Sequence, residues 1–168
     1  KMHTLLDLRG SIPANIHITD GKWHDSNELD RLSPEPYAFY VMDKAYVDFK
    51  ALFTFHQAKS FWVSRPKGNM RFATIKQMEI TDSRSRILED SHIRLTGYKS
   101  SRLYPDNMRF IRVYDSDNDD IIDLISNNFE VGATEISALY RHRWDIEVFF
   151  KWIKQNITVK ALWGYSEN

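Results

Sequence analysis

The sequence predicts a mixed α/β domain in which crossover helices flank a mixed β-sheet. Through the first 65 residues, apolar runs of strand length alternate with helical patterns, which is typical of strands joined by crossover helices. From residue 66 to about 128, short runs that alternate apolar and charged residues lie between turns, which indicates antiparallel strands. We therefore expect a core formed by 1–65 and 129–168, with an antiparallel β insertion at 66–128.

The first elements form a hairpin followed by a short helix. Residues 1–8 and 14–19 are predicted strands on either side of a turn that contains glycine and proline. A short helix then begins at Asp25, whose carboxylate could accept a hydrogen bond from the backbone N–H of Glu28. The proline-rich stretch 33–36 ends that helix.

Three elements of the core follow. The continuous apolar run 37–42 has the length of a strand and predicts a central strand covered on both faces. Residues 46–58 carry apolar side chains at three- and four-residue spacing, which predicts a helix. Residues 61–63 form the next strand.

In the second half, residues 108–114 and 121–125 are predicted strands of one hairpin. The last element is the strongest predicted helix, from Thr134 as a plausible N-cap to about Ile157. Its apolar residues extend around much of the cylinder. We therefore expect this helix to be buried on more than one side, so its charged residues require an explanation.

Composition excludes several classes of protein. The chain has 168 residues, is 42% hydrophobic and 27% charged, and contains no cysteine. These values are typical of a soluble globular protein, and the missing thiols exclude disulfide frameworks, thiolate metal sites and cysteine nucleophiles. No apolar run is long enough to cross a bilayer. Because the chain opens at Lys1 in strand-like sequence, we expect a fragment of a longer protein.

Charge is unevenly distributed although the net charge is zero. Residues 59–112 contain twelve Lys and Arg but five Asp and Glu, whereas 113–130 contain six acids and no base. A basic segment within a neutral chain is typical of a local phosphate-binding face. A solvated sheet face with scattered arginines has the same composition, so charge alone leaves both interpretations open.

Four polar residues of the last helix fall on one face. Tyr140, Arg143, Glu147 and Lys154 lie within about 60° of one another on a helical wheel. An Arg143–Glu147 pair on a solvated face would explain two of them. The aromatic residues nearby favour a second interpretation, in which the charged strip is partly buried and binds something.

The spacing of these four residues resembles the signature of the DDE transposases of bacterial insertion sequences, in the branch belonging to the fourth insertion-sequence family. Two further segments agree with that family. Residues 1–7 resemble the strand after the first catalytic aspartate, and residues 43–46 resemble the block that carries the second. The resemblance covers nearly the whole chain.

The resemblance implies an RNase H-like fold, with Asp43 at the end of a central strand and Glu147 on a helix beside it. Both carboxylates would be catalytic and would bind Mg²⁺ or Mn²⁺, with two ions in the complete site. Arg143 and Lys154 would bind DNA phosphates, and Tyr140 would bind a phosphate or stack on a base.

The same resemblance implies DNA strand cleavage and strand transfer at transposon ends. The partners would be end and target DNA, together with a second copy of the chain in a homodimeric synaptic complex. The location would be the bacterial cytoplasm, in association with the nucleoid.

The family uses three carboxylates, and the sequence supplies two. The first aspartate is expected upstream of Lys1, so we expect this chain alone to be inactive. Asp7 lies in the wrong block, while Asp20 and Asp25 suit turn and cap positions. The remaining candidate ligands lack the spacing of a zinc site: His3, His17 and His24.

Two other functions stay open at this point. The chain could be a DNA-binding relic without activity, or a hydrolytic nuclease of the same fold. Asp43 and Glu147 favour an active ancestor over a relic, because a decayed gene has no reason to retain them. The strip from Tyr140 to Lys154 favours a transposase over a plain nuclease.

Overall fold

A computed structural model describes residues 1–10, 12–20, 22, 24–80 and 85–156. Its eight strands are β1 (Met2–Asp7), β2 (Ile12–Ile18), β3 (Phe39–Val41), β4 (Phe61–Ser64), β5 (Phe72–Gln77), β6 (Ile87–Leu95), β7 (Met108–Asp115) and β8 (Asp120–Ser126). Its α-helices are α1 (Phe49–Gln57), α2 (Ser100–Leu103), α3 (Ala133–Arg141) and α4 (Arg143–Asn156). Two 3₁₀ helices span Asp25–Arg31 and Lys44–Tyr46.

Six of the described strands form one mixed sheet in the order β3-β4-β8-β7-β6-β5. β3 and β4 are parallel and are joined through α1, whereas the other neighbours are antiparallel. β1 and β2 form a separate antiparallel hairpin. The predicted fold class is confirmed: this is a mixed α/β domain with flanking helices, and it is compatible with an RNase H-like fold.

The region 66–128 contributes β5 to β8 to that sheet. β8 pairs directly with β4, with Val63 opposite Ser126, so the antiparallel strands continue the sheet of the parallel pair. One uninterrupted hydrogen-bonded sheet does not mark a domain boundary. The boundaries at 66 and 128 therefore stay a prediction.

Two hydrophobic clusters lie on opposite faces of the sheet, because successive side chains of a strand point to opposite faces. On β4, Trp62 belongs to the cluster under α1, and Val63 belongs to the cluster under α3. β7 alternates in the same way, with Phe110 in the first cluster and Ile111 in the second. Each of these two helices thus covers one face of the sheet.

The prediction of a central strand at 37–42 was wrong. The strand is limited to β3, which lies at the edge of the described six-stranded sheet. Its apolar character comes from coverage of its faces, since Tyr40 meets Phe55 of α1 with ring centroids 4.9 Å apart. On the other face, Val41 packs against the cluster under α3. All three residues of β3 are partly buried, so coverage of both faces does not require a neighbouring strand on both sides.

Two predicted helix starts also differ from the structure. The helix predicted to begin at residue 46 is a 3₁₀ turn followed by α1, which begins at Phe49. Asp48 caps it by accepting hydrogen bonds from two backbone N–H groups at 3.0 and 3.1 Å. The capping role of Asp25 was wrong, because His24 is the N-cap and makes no side-chain cap bond. Asp25 instead pairs with Lys1 at 3.3 Å.

The prediction of one buried helix from Thr134 to Ile157 was wrong in three respects. The helix is divided at His142 into α3 and α4, and its N-cap is Gly132. α3 packs against the sheet, but no described residue of α4 is buried. The apolar residues of α4 that suggested burial are more than half exposed: Trp144, Val148 and Trp152. The predicted end of the helix, Ile157, lies outside the described residues.

None of the described helices is long and apolar enough to span a membrane.

Candidate active site

Asp43 stands at the end of the sheet where β3 gives way to a 3₁₀ helix. Its carboxylate caps that helix by accepting a hydrogen bond from the backbone N–H of Ala45 at 3.0 Å. β3 and β4 run in parallel, so their carboxyl ends meet at this edge of the sheet. The backbone therefore fixes the Asp43 carboxylate beside the end of β4.

Glu147 approaches the same place from α4. Arg143 Nη1 donates a hydrogen bond to Glu147 Oε1 at 2.5 Å and lies 3.7 Å from Asp43 Oδ2. One nitrogen atom contacts both carboxylates, so these two oxygen atoms are separated by at most the sum of the two distances. The structure thus brings Asp43 and Glu147 together, and the separation of these oxygens lies below the upper limit of about 8 Å expected for carboxylates that bind two ions.

The arginine between the carboxylates is shielded, but the carboxylates are open to solvent. The Arg143 side chain is 21% exposed, and those of Asp43 and Glu147 are each 42% exposed. Burial lowers the pKa of Arg143, but the hydrogen bond to Glu147 and the neighbouring acidic groups outweigh it and raise the pKa above its usual value. Arg143 is therefore a permanent cation at the edge of an accessible acidic pair.

Tyr140 lies below this cluster at the end of α3. Its side chain belongs to the cluster under α3, and its hydroxyl is buried without a well-aligned hydrogen bond among the described residues. Burial raises the pKa of Tyr140, and the charge of Asp43 adds to that rise, while Arg143 and Arg65 oppose it. Arg143 also interacts with this hydroxyl through a side-chain hydrogen bond, so Tyr140 and Arg143 act as one group at the edge of the site.

The predicted strip is only partly assembled. Arg143 and Glu147 share α4 with Lys154, but Tyr140 belongs to α3 and is buried while the others are not. Lys154 is exposed and lies seven residues beyond Glu147, about 10 Å along the helix axis. The structure therefore groups Tyr140 with Asp43, Arg143 and Glu147, and leaves Lys154 outside that group.

Arg65 is a basic residue of the site that sequence reasoning did not single out. It is the first residue after β4, and Asp43 is the second residue after β3, so both lie at the carboxyl ends of parallel neighbours. Its charge acts on the Tyr140 hydroxyl. The sequence feature that points to Arg65 is its position directly after a predicted strand. That position is informative only when β3 and β4 are known to be paired.

Part of the predicted basic excess is used inside the protein. Arg109 forms two hydrogen bonds to Asp90, at 2.8 and 2.7 Å, and both side chains are buried. Arg112 makes a similar pair with Asp123 at 2.8 and 3.0 Å. Several other basic residues of the segment lie at least partly exposed: Lys67, Arg71, Lys99 and Arg102. The charge count alone does not distinguish arginines that pair with carboxylates of the protein from basic residues that are exposed to solvent.

Other candidate ligands have partners in the hairpin or in the two 3₁₀ helices. The His3 ring lies 3.2 Å from the Tyr46 hydroxyl, and His17 lies 2.9 Å from Glu28. Asp7 accepts a hydrogen bond from the backbone N–H of Arg9. Within the parts of the chain that the structure describes, no three or more His, Asp or Glu side chains form a group able to hold a metal ion.

Of the predicted site, the structure brings together the two carboxylates, the tyrosine and the arginine. Comparison with known proteins decides the family. The family model for the transposase DDE domain matches residues 1–161. The chain belongs to this family. The resemblance to the DDE transposases of insertion sequences is therefore confirmed.

Two relatives of the DDE domain support the assignment along the whole chain. A protein of Sinorhizobium fredii, named as a candidate transposase y4zB, is 32% identical over 171 residues, which cover 100% of this chain and 48% of that protein. A protein of Geobacillus stearothermophilus, named as the probable transposase of insertion sequence element IS5377, is 29% identical over 168 residues. Those residues cover 100% of this chain and 44% of that relative. The chain thus spans about half the length of these relatives.

Proposed function

We propose that this DDE domain is part of the catalytic core of an insertion-sequence transposase that cleaves and joins DNA strands with the help of divalent metal ions. The observation that carries the proposal is the convergence of Asp43 and Glu147 on one arginine, at an accessible edge of the sheet. Two half-exposed carboxylates held this close repel each other unless a cation lies between them.

Asp43 and Glu147 would be the metal ligands. Carboxylate oxygens suit hard ions such as Mg²⁺ or Mn²⁺, and both side chains are open enough to solvent to accept one. When bound, such ions activate the attacking oxygen and stabilise the leaving oxygen at phosphorus. Because Asp43 is fixed by its backbone hydrogen bond, Glu147 and α4 would make the adjustment.

Arg143, Tyr140 and Arg65 would bind the DNA strand next to the carboxylates. A guanidinium presents paired N–H groups that match two phosphate oxygens. The buried Tyr140 hydroxyl can donate a hydrogen bond to a phosphate that enters the site. Lys154 would bind a phosphate further along the strand, because it lies about two helical turns from Glu147.

The proposal requires a third carboxylate, which the family pattern assigns to a strand outside this chain. β3 has no second neighbour among the described strands, so its free edge beside Asp43 can pair with such a strand. The 168-residue chain alone would then bind metal weakly and would not cleave DNA. Synapsis of two transposon ends would require a homodimer of the full-length protein.

The test is a strand-nicking assay with the full-length protein and labelled transposon-end DNA in Mg²⁺ or Mn²⁺. Asp43→Asn and Glu147→Gln should each abolish nicking while leaving DNA binding intact. Asp145→Asn is the matched control, since this carboxylate is on the same helix and pairs with His142. Full nicking by Glu147→Gln would overturn the proposal.

The products of the same assay distinguish the alternatives. Joining of the cut end to target DNA identifies a transposase, and cleavage without joining identifies a hydrolytic nuclease. DNA binding without cleavage by the full-length protein identifies a relic.

A further inference from the structure

A second basic site lies between the two loops that flank the open end of the β5–β6 hairpin. The loop before β5 and the loop after β6 border an open groove of about 680 Å³. The side chains that line it are basic, amide, hydroxyl or apolar, and they include Phe49, Asn69, Met70, Arg71, Tyr98 and Lys99. None of the residues that line it is acidic. The groove therefore suits an anionic ligand.

Tyr98 is the unusual residue of this groove. It is 79% exposed, although an aromatic ring usually gains free energy from burial. The Arg102 guanidinium lies over the ring, 4.1 Å from its centroid. This contact restricts the ring from one side and leaves most of its surface open, so a flat ligand can stack on it.

The loops hold these side chains at a fixed spacing. Thr96 donates its backbone N–H to the Arg71 carbonyl at 3.0 Å, which ties the two loops together. Within each loop a further backbone bond closes a turn, from Met70 to Lys67 at 2.9 Å and from Ser101 to Gly97 at 2.9 Å. The backbone that carries the basic and aromatic side chains is therefore held in place by hydrogen bonds between and within the two loops.

The groove is close to the candidate active site along the chain. Phe49 follows Asp43 by six residues, and Arg71 follows Arg65 by six residues. Six residues span roughly 22 Å at most, even when fully extended. That distance corresponds to about six base pairs of duplex DNA. One DNA molecule can therefore contact both places.

We propose that this groove binds an unpaired segment of DNA, with a base stacked on Tyr98 and the flanking phosphates on Arg71 and Lys99. Stacking is the contact that distinguishes an unpaired strand from a duplex, because the faces of paired bases are already covered. The proposal rests on the proposed function only for the nature of the ligand. The groove itself contains neither Asp43 nor Glu147.

The experiment compares two DNA probes on the 168-residue chain. One is a blunt duplex, and the other carries a single-stranded tail of about five nucleotides, the length of a small single-strand site, that contains the fluorescent base 2-aminopurine. Wild-type protein should bind the tailed probe more tightly and quench its fluorescence by stacking. Tyr98→Ala should weaken binding of the tailed probe roughly tenfold and remove the quenching, with little effect on the blunt duplex. Tyr98→Trp should restore both.

Charge and exposure controls complete the design. Arg71→Ala and Lys99→Ala should each reduce the salt dependence of tail binding by about 0.7 in the logarithmic slope. Lys22→Ala removes an exposed lysine that does not line the groove, and it should not change this slope. Tyr37→Ala removes another exposed tyrosine, which is 71% exposed and does not line the groove, and should leave quenching intact.

The proposal is overturned if wild-type protein shows no preference for the tailed probe, or if Tyr98→Ala quenches it as wild type does. Nicking is measured in the full-length protein and quenching on the tailed probe, so the two readouts are independent. Loss of nicking in Glu147→Gln therefore tests the active site, and loss of quenching in Tyr98→Ala tests the groove. Either proposal can fail without the other.

Discussion

Two arginine–carboxylate clusters of this domain use the same chemistry in different surroundings. Arg109 is buried between β6 and β7, where it pairs with Asp90 and also donates to the Val131 carbonyl at 2.5 Å. Arg143 lies at the edge of the sheet and contacts two carboxylates that are each 42% exposed. The Arg109 cluster is shielded from solvent, whereas the carboxylates of the Arg143 cluster are exposed to it.

The difference indicates which arginines of a basic sequence are free to bind the DNA that the proposed function requires. Arg109 connects the sheet to the segment that leads into α3, and its hydrogen-bonding groups are directed at protein acceptors. Under the proposed function, Arg143 would exchange its carboxylate partners for a phosphate when metal ions or DNA bind. The buried pair supports the fold, whereas the open cluster is suited to ligand binding.

The largest expected effect concerns the buried pair. Arg109→Ala should lower the free energy of unfolding by about 3–5 kcal/mol, because Asp90 would remain as a buried charge without its partner. Urea denaturation of the purified chain measures this change. Arg94→Ala is the control, since Arg94 is exposed and bonds to Asn107, and it should change stability by less than about 1 kcal/mol. Equal losses of unfolding free energy in Arg109→Ala and Arg94→Ala would contradict the structural role of the buried pair.

A second prediction compares two tyrosines. Tyr104 is fully buried in the cluster under α1, and burial, aided by the charge of Asp106, raises its pKa. A pKa that is higher in the folded state means that stability present at neutral pH is lost as the pH rises above about 10. The loss should reach about 1.4 kcal/mol per pH unit for one such group.

Tyr104→Phe should remove most of that alkaline loss, whereas Tyr140→Phe should remove less of it. Arg143 and Arg65 oppose the rise in the pKa of Tyr140, and no such cation acts on Tyr104 among the described residues. Urea denaturation at neutral pH and at values on either side of about 10 measures both variants. An unchanged alkaline loss in Tyr104→Phe would show that this residue is not its source.

The smallest expected effect is on the stability of the open cluster. Arg143→Ala should lower the free energy of unfolding by only about 0–1 kcal/mol, because its partners remain half-exposed and solvated. The same denaturation experiment measures it beside Arg109→Ala. A loss as large as that of Arg109→Ala would make Arg143 a structural residue.

Local sequence patterns predicted the strands well and the tertiary surroundings poorly. The strand predicted at 108–114 is observed as Met108–Asp115, and that at 61–63 as Phe61–Ser64, because side-chain alternation is a local property. The edge position of β3 and the break at His142 depend on contacts with other elements. The exposed aromatic residues of α4 show that an apolar helix surface is not always covered within the same chain.

The candidate site was also predicted only in part from the sequence. The family resemblance grouped Asp43 with Glu147, and the structure places both against Arg143, although their catalytic roles stay predictions. Arg65 was missed because its importance comes from the pairing of β3 with β4, which no single segment encodes. The basic excess was also ambiguous, since Arg109 and Arg143 look alike in sequence.

The most direct test of the contrast is the salt dependence of DNA affinity in the full-length protein. Each neutralised phosphate releases counterions, so removing one phosphate contact lowers the logarithmic slope by about 0.9. Arg143→Ala and Lys154→Ala should each lower the slope by that amount, with little change in sequence preference. Arg9→Ala, which removes an exposed arginine paired with Asp7, should leave the slope unchanged. If Arg143→Ala keeps both the affinity and the slope of the wild-type protein, the cluster of Asp43, Arg143 and Glu147 is a structural ion pair and not a DNA-binding site.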